Sequence, residues 1–219
     1  RKRFPALREL YSGALNRFEP NPALRPETAR TAEFGASLVR GRADVQAVVF
    51  TQHIDDAVVR ITLPSSRFQR INRDRFASTG IEVTAGTMIG AATFRGDLTV
   101  QRARLSDATI TDPTLRRPED VPERFASVLA IVPLAERWEA QLRARAVGAT
   151  RCTNPDSGSL DTQNGAQVVD LGLTRSWQSR VAGRLRAAVH VDNTFDRALY
   201  DKCGLPQAGR TLRFGLTLG

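Results

Sequence analysis

The stretch Arg137–Val147, RWEAQLRARAV, alternates without interruption. Trp138, Ala140, Leu142, Ala144 and Ala146 share one parity; Arg137, Glu139, Gln141, Arg143 and Arg145 share the other. Successive side chains of a strand point to opposite faces, so this segment is a ribbon with one ion-free face and one charged face. The pattern recurs down the chain and would build a whole sheet of that kind. A soluble sheet with a smooth apolar side needs a second layer over it, and nothing in this sequence supplies one. A barrel in a membrane needs no such layer, because lipid meets the outside and water fills the inside.

Period-two alternation predicts about nine strands. The first runs near Thr28–Arg40, with Ala32, Phe34, Ala36 and Leu38 opposite Thr31, Glu33, Gly35 and Ser37. A blurred one covers Ala43–Ile61. The third, Arg75–Ala85, sets Ala77, Ile81, Val83 and Ala85 against Ser78, Glu82 and Thr84. In Ala92–Ala103, Phe94, Leu98 and Val100 face away from Arg95, Asp97, Thr99 and Gln101. Phe125–Val132 is apolar on both sides, and the charged ribbon follows it. Then Val169, Leu171, Leu173 and Trp177 oppose Asp170, Thr174 and Ser176. Val181, Leu185, Ala187, Val189 and Val191 oppose Arg184, Arg186, His190 and Asp192. The last strand places Leu212, Phe214, Leu216 and Leu218 against Thr211, Arg213 and Thr217. Helical periodicity is weak throughout, with Ala6–Ala14 and Glu119–Phe125 as two candidates for a short turn of helix.

The connections alternate in length. Short ones are expected near Gly41, Gly86–Gly90, Pro133–Glu136 and Gln178–Ser179; long ones cover residues 1–26, 62–72, 106–121, 150–165 and 193–208. Short turns at one rim and long loops at the other is the layout of an outer-membrane barrel. Trp138 and Trp177 both belong to apolar sets and both adjoin short turns, which puts two amphipathic rings at one membrane boundary. The longest apolar run, Ala126–Ala135, contains Ser127 and Pro133 and spans about half of what a membrane helix needs.

The formal net charge is +9, and the basic residues are Arg except for Lys2 and Lys202. They are spread over strand faces and loops, and two Tyr offer few platforms for stacking bases, which argues against nucleic acid. No HxxxH, HExxH, Cys/His spacing, nucleophile motif or phosphate loop is present, so neither a catalytic nor a metal site is expected. The two His, His53 and His190, read as solvated strand residues. Asp55–Asp56 reads as loop charge, with a cation site as the weaker reading.

Two segments carry a family resemblance. Arg3-Phe4-Pro5-Ala6-Leu7-Arg8-Glu9-Leu10-Tyr11-Ser12, followed by Asn21-Pro22-Ala23-Leu24-Arg25-Pro26-Glu27-Thr28, resembles the FPxLxELYS…NPxLxPE(T/S) stretch of TonB-dependent outer-membrane receptors. Val191-Asp192-Asn193-Thr194-Phe195-Asp196, then Tyr200 and Gly209-Arg210-Thr211-Leu212-Arg213, is similar to that family's closing segment. The order of the pieces is more specific than either alone, and the resemblance spans essentially the whole chain. It departs at the end: the family closes on an aromatic residue, whereas here Phe214 is the nearest aromatic to Leu216-Thr217-Leu218-Gly219.

The resemblance implies an all-β chain. Residues 1–219 would form one partial domain, about nine antiparallel strands at the C-terminal end of a large, roughly 22-stranded transmembrane barrel. The plug domain and the TonB-contacting segment would lie upstream of residue 1, since Arg1-Lys2-Arg3 begins mid-pattern and is no signal peptide. It further implies active uptake of a scarce small molecule, such as an iron siderophore, cobalamin or another metal chelate. The partners would be the TonB complex, through the missing N-terminal region, and outer-membrane lipid and lipopolysaccharide. No cofactor is implied, and no enzyme. A passive porin-type barrel and a soluble Arg-rich β module binding nucleic acid or acidic glycans are the competing readings.

Strand order then places the loops holding Cys152 and Cys203 on the same rim. A disulfide is the leading reading, at roughly 3–4 kcal/mol of loop stabilisation, with two free thiols or a metal pair as alternatives. Arg8, Tyr11, Arg17 and Phe18 in the first long loop are candidate ligand contacts. Arg143, Arg145, Arg184, Arg186 and Arg213 would line the lumen, either guiding anionic chelates inward or pairing with carboxylates of plug and barrel. Pro22 and Pro26 fix an extended entry to the first strand, with Glu27 pairing inside the barrel.

Overall fold

A computed structural model describes residues 1–13, 16–108, 110–179 and 183–218. Nine long strands carry the chain: β1 (Glu27–Arg40), β2 (Ala43–Thr62), β3 (Phe68–Ile89), β4 (Ala92–Ser106), β5 (Arg124–Ala135), β6 (Trp138–Val147), β7 (Ala166–Ser179), β8 (Gly183–Asp192) and β9 (Thr211–Leu218). Each pairs antiparallel with the next in one meander, and among the described residues β1 and β9 do not meet, so the sheet is open. Val181 of the alternation and Ala14 of the first helix candidate lie outside the described residues.

Register joins the alternation of each strand into continuous faces. Phe34, Val49, Ile81 and Val100 form one cross-strand row. Val132, Ala140, Leu173, Val189 and Phe214 form another. Most of these side chains stand exposed, with Phe34 at 76% and Phe214 at 74%, Val132 and Ala140 are half-buried, and among the described residues no large side chain is fully buried. A sheet of this size without a buried core is stable only where its apolar face meets lipid. The opposite face is polar: Asp97, Ser127 and Arg145 share a row, as do Gly172, His190 and Arg213. Phe125, Leu129 and Ile131 of β5 fall on this inner face too, as the doubly apolar sequence of that strand foretold.

The β1–β2 and β3–β4 hairpin turns are two-residue, closed by the pairs Arg40↔Ala43 and Ile89↔Ala92. Gly41 and Gly90 hold φ of 61° and 60° there, the left-handed conformation such turns require.

The structure departs from expectation at residues 62–72. Instead of a long loop, β2 and β3 pair up to Thr62↔Phe68, leaving only residues 63–67 as the turn. At 20 and 22 residues, these strands run roughly twice the 9–11 residues that a tilted strand needs to cross a bilayer, so the hairpin stands well clear of it. Alternation is blurred there because no lipid imposes it. β4 ends opposite Arg75 and leaves the edge of β3 open above that point. Phe18–Glu19 takes that edge as a short parallel strand, paired Phe18↔Phe68 and Glu19↔Gln69.

Helix α1 is confined to Leu7–Tyr11. Glu119–Phe125 is not helical: Asp120 has φ 58° and its N–H donates to the Arg151 carbonyl, Pro122 follows, and β5 has begun by Arg124. A single turn of 3-10 helix lies earlier, at Pro113–Arg116.

Candidate functional site

The rim with the long loops gathers most of the specific polar chemistry. Loop 148–165 folds into a hairpin pairing Thr150–Thr153 with Leu160–Gln163, and loop 193–210 holds a smaller one pairing Tyr200–Lys202 with Leu205–Pro206. Cys152 and Cys203 join the two hairpins in a disulfide, with Cα atoms 5.7 Å apart. The Gln163 amide donates to the Tyr200 carbonyl at 3.0 Å beside it. The preceding loop is tied in through Glu119, whose carboxylate accepts from the Thr153 N–H and hydroxyl, both at 2.8 Å. A cleft of about 400 Å³ lies between these loops and the tall hairpin, lined by Arg60, Phe68, Glu119, Asp120, Asn154 and Lys202 among others.

The N-terminal segment forms a strap over the tall hairpin. Arg3 pairs with both Glu9 and Glu27, and Arg70 reaches Glu9 at 3.5 Å. Glu9 also accepts the Ala6 N–H at 2.9 Å, which caps α1. Burial pushes the Glu9 carboxyl up, but the Ala6 N–H, Arg3 and Arg70 together outweigh it and hold the group below its usual range. Glu27 accepts the Val58 N–H at 2.6 Å. Asn72 mimics a backbone pair with Arg25, accepting its N–H at 2.8 Å and donating to its carbonyl at 3.0 Å. Pro22 and Pro26 flank this crossing, and Leu24 beneath it is buried.

The candidate ligand contacts divide. Arg8 and Tyr11 are exposed on α1, and Arg17 is exposed beyond it. Phe18 is engaged in packing: its ring meets Phe68 at 5.6 Å, with Arg70 over Phe18 and Arg60 over Phe68 at 4.5 Å. Asp55 and Asp56 do not form a cation site, because Arg75 pairs with the first and Arg25 with the second.

Each of the five lumen arginines falls on the inner face. Arg145 pairs with Asp170 at 3.5 Å, Arg186 with Glu139 at 3.2 Å, and Arg213 with Asp192 at 2.8 Å. Among the described residues Arg143 and Arg184 have no carboxylate partner. The inner face thus carries free positive charge beside paired charge.

Sequence reasoning missed two groups. Arg175 shares the parity of Leu171 and Leu173 and lies over the Trp138 ring at 5.1 Å. Arg102, Arg104 and Arg124 share the parity of Val100 and so fall on the outer face. Carrying the alternation of β4 three residues further would have found the first two of these.

The family described as "TonB dependent receptor-like, beta-barrel" matches residues 3–193. The chain belongs to this family. It is therefore part of an outer-membrane barrel of a transporter family rather than of an enzyme. The solved structures it resembles include "Copper transporter OprC" (18% identity, TM-score 0.76, covering 98% of this chain and 35% of that one). The FrpB iron transporter from Neisseria meningitidis matches at 19% identity and TM-score 0.67, covering 91% of this chain and 32% of that one. The pyoverdine outer membrane receptor FpvA from Pseudomonas aeruginosa, solved with pyoverdine bound, matches at 16% and 0.66, covering 88% and 30%. At such identities the likeness is one of fold, and the TonB-dependent receptor chain spans about a third of each relative. No curated protein matches the sequence.

Proposed function

We propose that residues 1–219 are one domain, the C-terminal part of the barrel of an active-transport receptor. The receptor takes up a scarce small molecule, a metal chelate such as an iron siderophore or cobalamin, with energy delivered by the TonB complex through a region N-terminal to this chain. The family match over residues 3–193 carries the reading. The unpaired Arg143 and Arg184 of the inner face support an anionic cargo, since a cationic lumen raises the local concentration of anions. Arg8, Tyr11 and Arg17, exposed on the outer rim, are the ligand contacts we favour, and Phe18 acts by holding the strap in place. Outer-membrane lipid and lipopolysaccharide surround the outer face, and nucleic acid has no part.

The test is uptake of radioiron bound to hydroxamate or catecholate chelators, by cells whose only receptor is the full-length protein. Saturable uptake that stops when a protonophore collapses the proton gradient is expected. Uptake that survives the protonophore would replace this reading with a passive, porin-type barrel.

A further inference from the structure

The outer face changes character within one residue row. Phe34, Val49, Ile81 and Val100 form an apolar row whose next cross-strand partner is Arg124. The row above reads Ala32, Thr51, Thr79 and Arg102; the one above that reads Arg30, His53, Ala77 and Arg104. β5 begins at Arg124, so among the described residues β4 beyond Val100 has no strand on that side. Residues 122–123 meet it there through the Gln101 N–H to Glu123 carbonyl bond at 2.8 Å, the Gln101 amide to Pro122 carbonyl bond at 3.1 Å and the Arg104–Glu123 pair. The result is a notch of about 410 Å³ bordered by Thr79, Val100, Gln101, Arg102, Arg104 and Arg124, with the Glu123 carboxylate at its edge as the one acidic group.

Arg102 and Arg124 are diagonal neighbours, about 7–8 Å apart at the backbone, and Arg104 follows on the same face. Their side chains are long enough to converge on one tetrahedral anion, and guanidinium forks fit phosphate oxygens in bidentate pairs. Glu123 engages Arg104 at 3.4 Å and Arg117 at 3.6 Å. Among the described residues Arg102 and Arg124 have no ionic or side-chain hydrogen-bonding partner. Two unpaired, exposed arginines at the upper border of an acyl-facing surface present their positive charge where the anionic headgroups of a membrane lie.

We infer that this notch binds the phosphorylated headgroup of an outer-leaflet glycolipid, with Arg102 and Arg124 as the principal contacts and Arg104 as the third. The inference rests on the barrel orientation proposed above but not on TonB coupling or on the cargo. A glycolipid is favoured over a soluble anion because the notch is continuous with the apolar row of Val100 and Ile81, which acyl chains would cover while the phosphate sits on the arginines.

The full-length receptor is purified from outer membranes, and glycolipid phosphate per barrel is measured by mass spectrometry after detergent exchange. Wild type is expected to retain about one phosphoglycolipid, and Arg102→Ser/Arg124→Ser to retain at least fivefold less. Arg143→Ser, on the inner face, should retain the wild-type amount. Arg102→Lys/Arg124→Lys keeps the charge and should retain an intermediate amount, which decides the matter if the serine variant does not fold. Chelate uptake, measured separately, should be unchanged in the serine variant. Retention unaffected by the serine or lysine changes would overturn the site. So would equal binding of phosphate-free glycolipid in nanodiscs of defined composition, or release of the lipid by millimolar inorganic phosphate. A wild-type dimer that the serine variant dissociates would instead assign the notch to a second copy of the chain.

Discussion

Cys152 and Cys203 are bonded across 51 residues of sequence, joining the hairpins of two adjacent outer loops. Neither hairpin belongs to the main sheet. A closed loop of that length accounts for about 4 kcal/mol in the chain-entropy account. It encloses β7 and β8 as well, but those strands are also held by their own sheet pairing, whereas the two hairpins are not. Cys152→Ser/Cys203→Ser, or reduction, is therefore expected to speed proteolysis within residues 148–165 and 193–210 while leaving the strands protected. Hydrogen exchange with and without reductant reads this directly. Uniform loss of protection through β6–β8 would show that the bond supports the barrel itself.

A Cβ at Gly80 would stand 2.7 Å from the Phe50 ring and 2.6 Å from the Val100 carbonyl oxygen. The ring occupies the space the glycine leaves, and the carbonyl cannot yield as a side-chain tip could. Gly80→Val should destabilise the folded receptor by about 1–3 kcal/mol, the usual cost of overpacking. Gly215 meets nothing within 4 Å, so Gly215→Ala should be neutral or slightly stabilising. Chemical unfolding of both variants in lipid vesicles checks the contrast. Equal losses would mean that backbone freedom, not space, decides at both positions.

The strap titrates through Glu9. Its folded carboxyl lies below the usual range, so the stability it contributes is complete above the unfolded pKa and is lost as pH falls through the folded one. Acidification below the ordinary carboxylate range should free Glu9 from Arg3 and Arg70 and raise hydrogen exchange in residues 1–13. In Glu9→Gln, exchange of this segment should be raised already at neutral pH and should change little on acidification. A strap equally protected at both pH values in wild type would place its stability elsewhere, in the Asn72–Arg25 pair.

Most of the long strands are legible because lipid on one face and water on the other impose period two wherever both are present; β5 is legible instead as a run apolar on both faces. Reading failed where that contrast ends. Phe68–Asn72 pairs into β3 above the bilayer, where polar residues on both faces leave no alternation to detect. Arg102, Arg104 and Arg175 were passed over because an ion on an apolar parity looks like the end of a strand. Their register shows them instead at the borders of the apolar surface. The motif around Glu9 and Glu27 was visible as letters, but its ion pairs join residues far apart in sequence, and only the fold brings Arg70 to Glu9.

Leu142 and Gln141 are neighbours on β6 that face opposite sides. Leu142 pairs with Ala130 and Leu171 on the outer face, while Gln141 pairs with Ile131 and Gly172 on the inner one. An arginine on the lipid side of a barrel costs roughly 2–4 kcal/mol near the bilayer midplane and less toward its edges. Leu142 lies midway along its strand, so Leu142→Arg should approach that cost. Gln141→Arg adds one more cation to a wet face that already holds Arg143 and Arg145, and should cost well under 1 kcal/mol if screening operates there as at other hydrated surfaces. Unfolding of both variants in phospholipid vesicles measures the difference. The reverse order of losses would turn the sheet inside out, with its charged face toward the acyl chains.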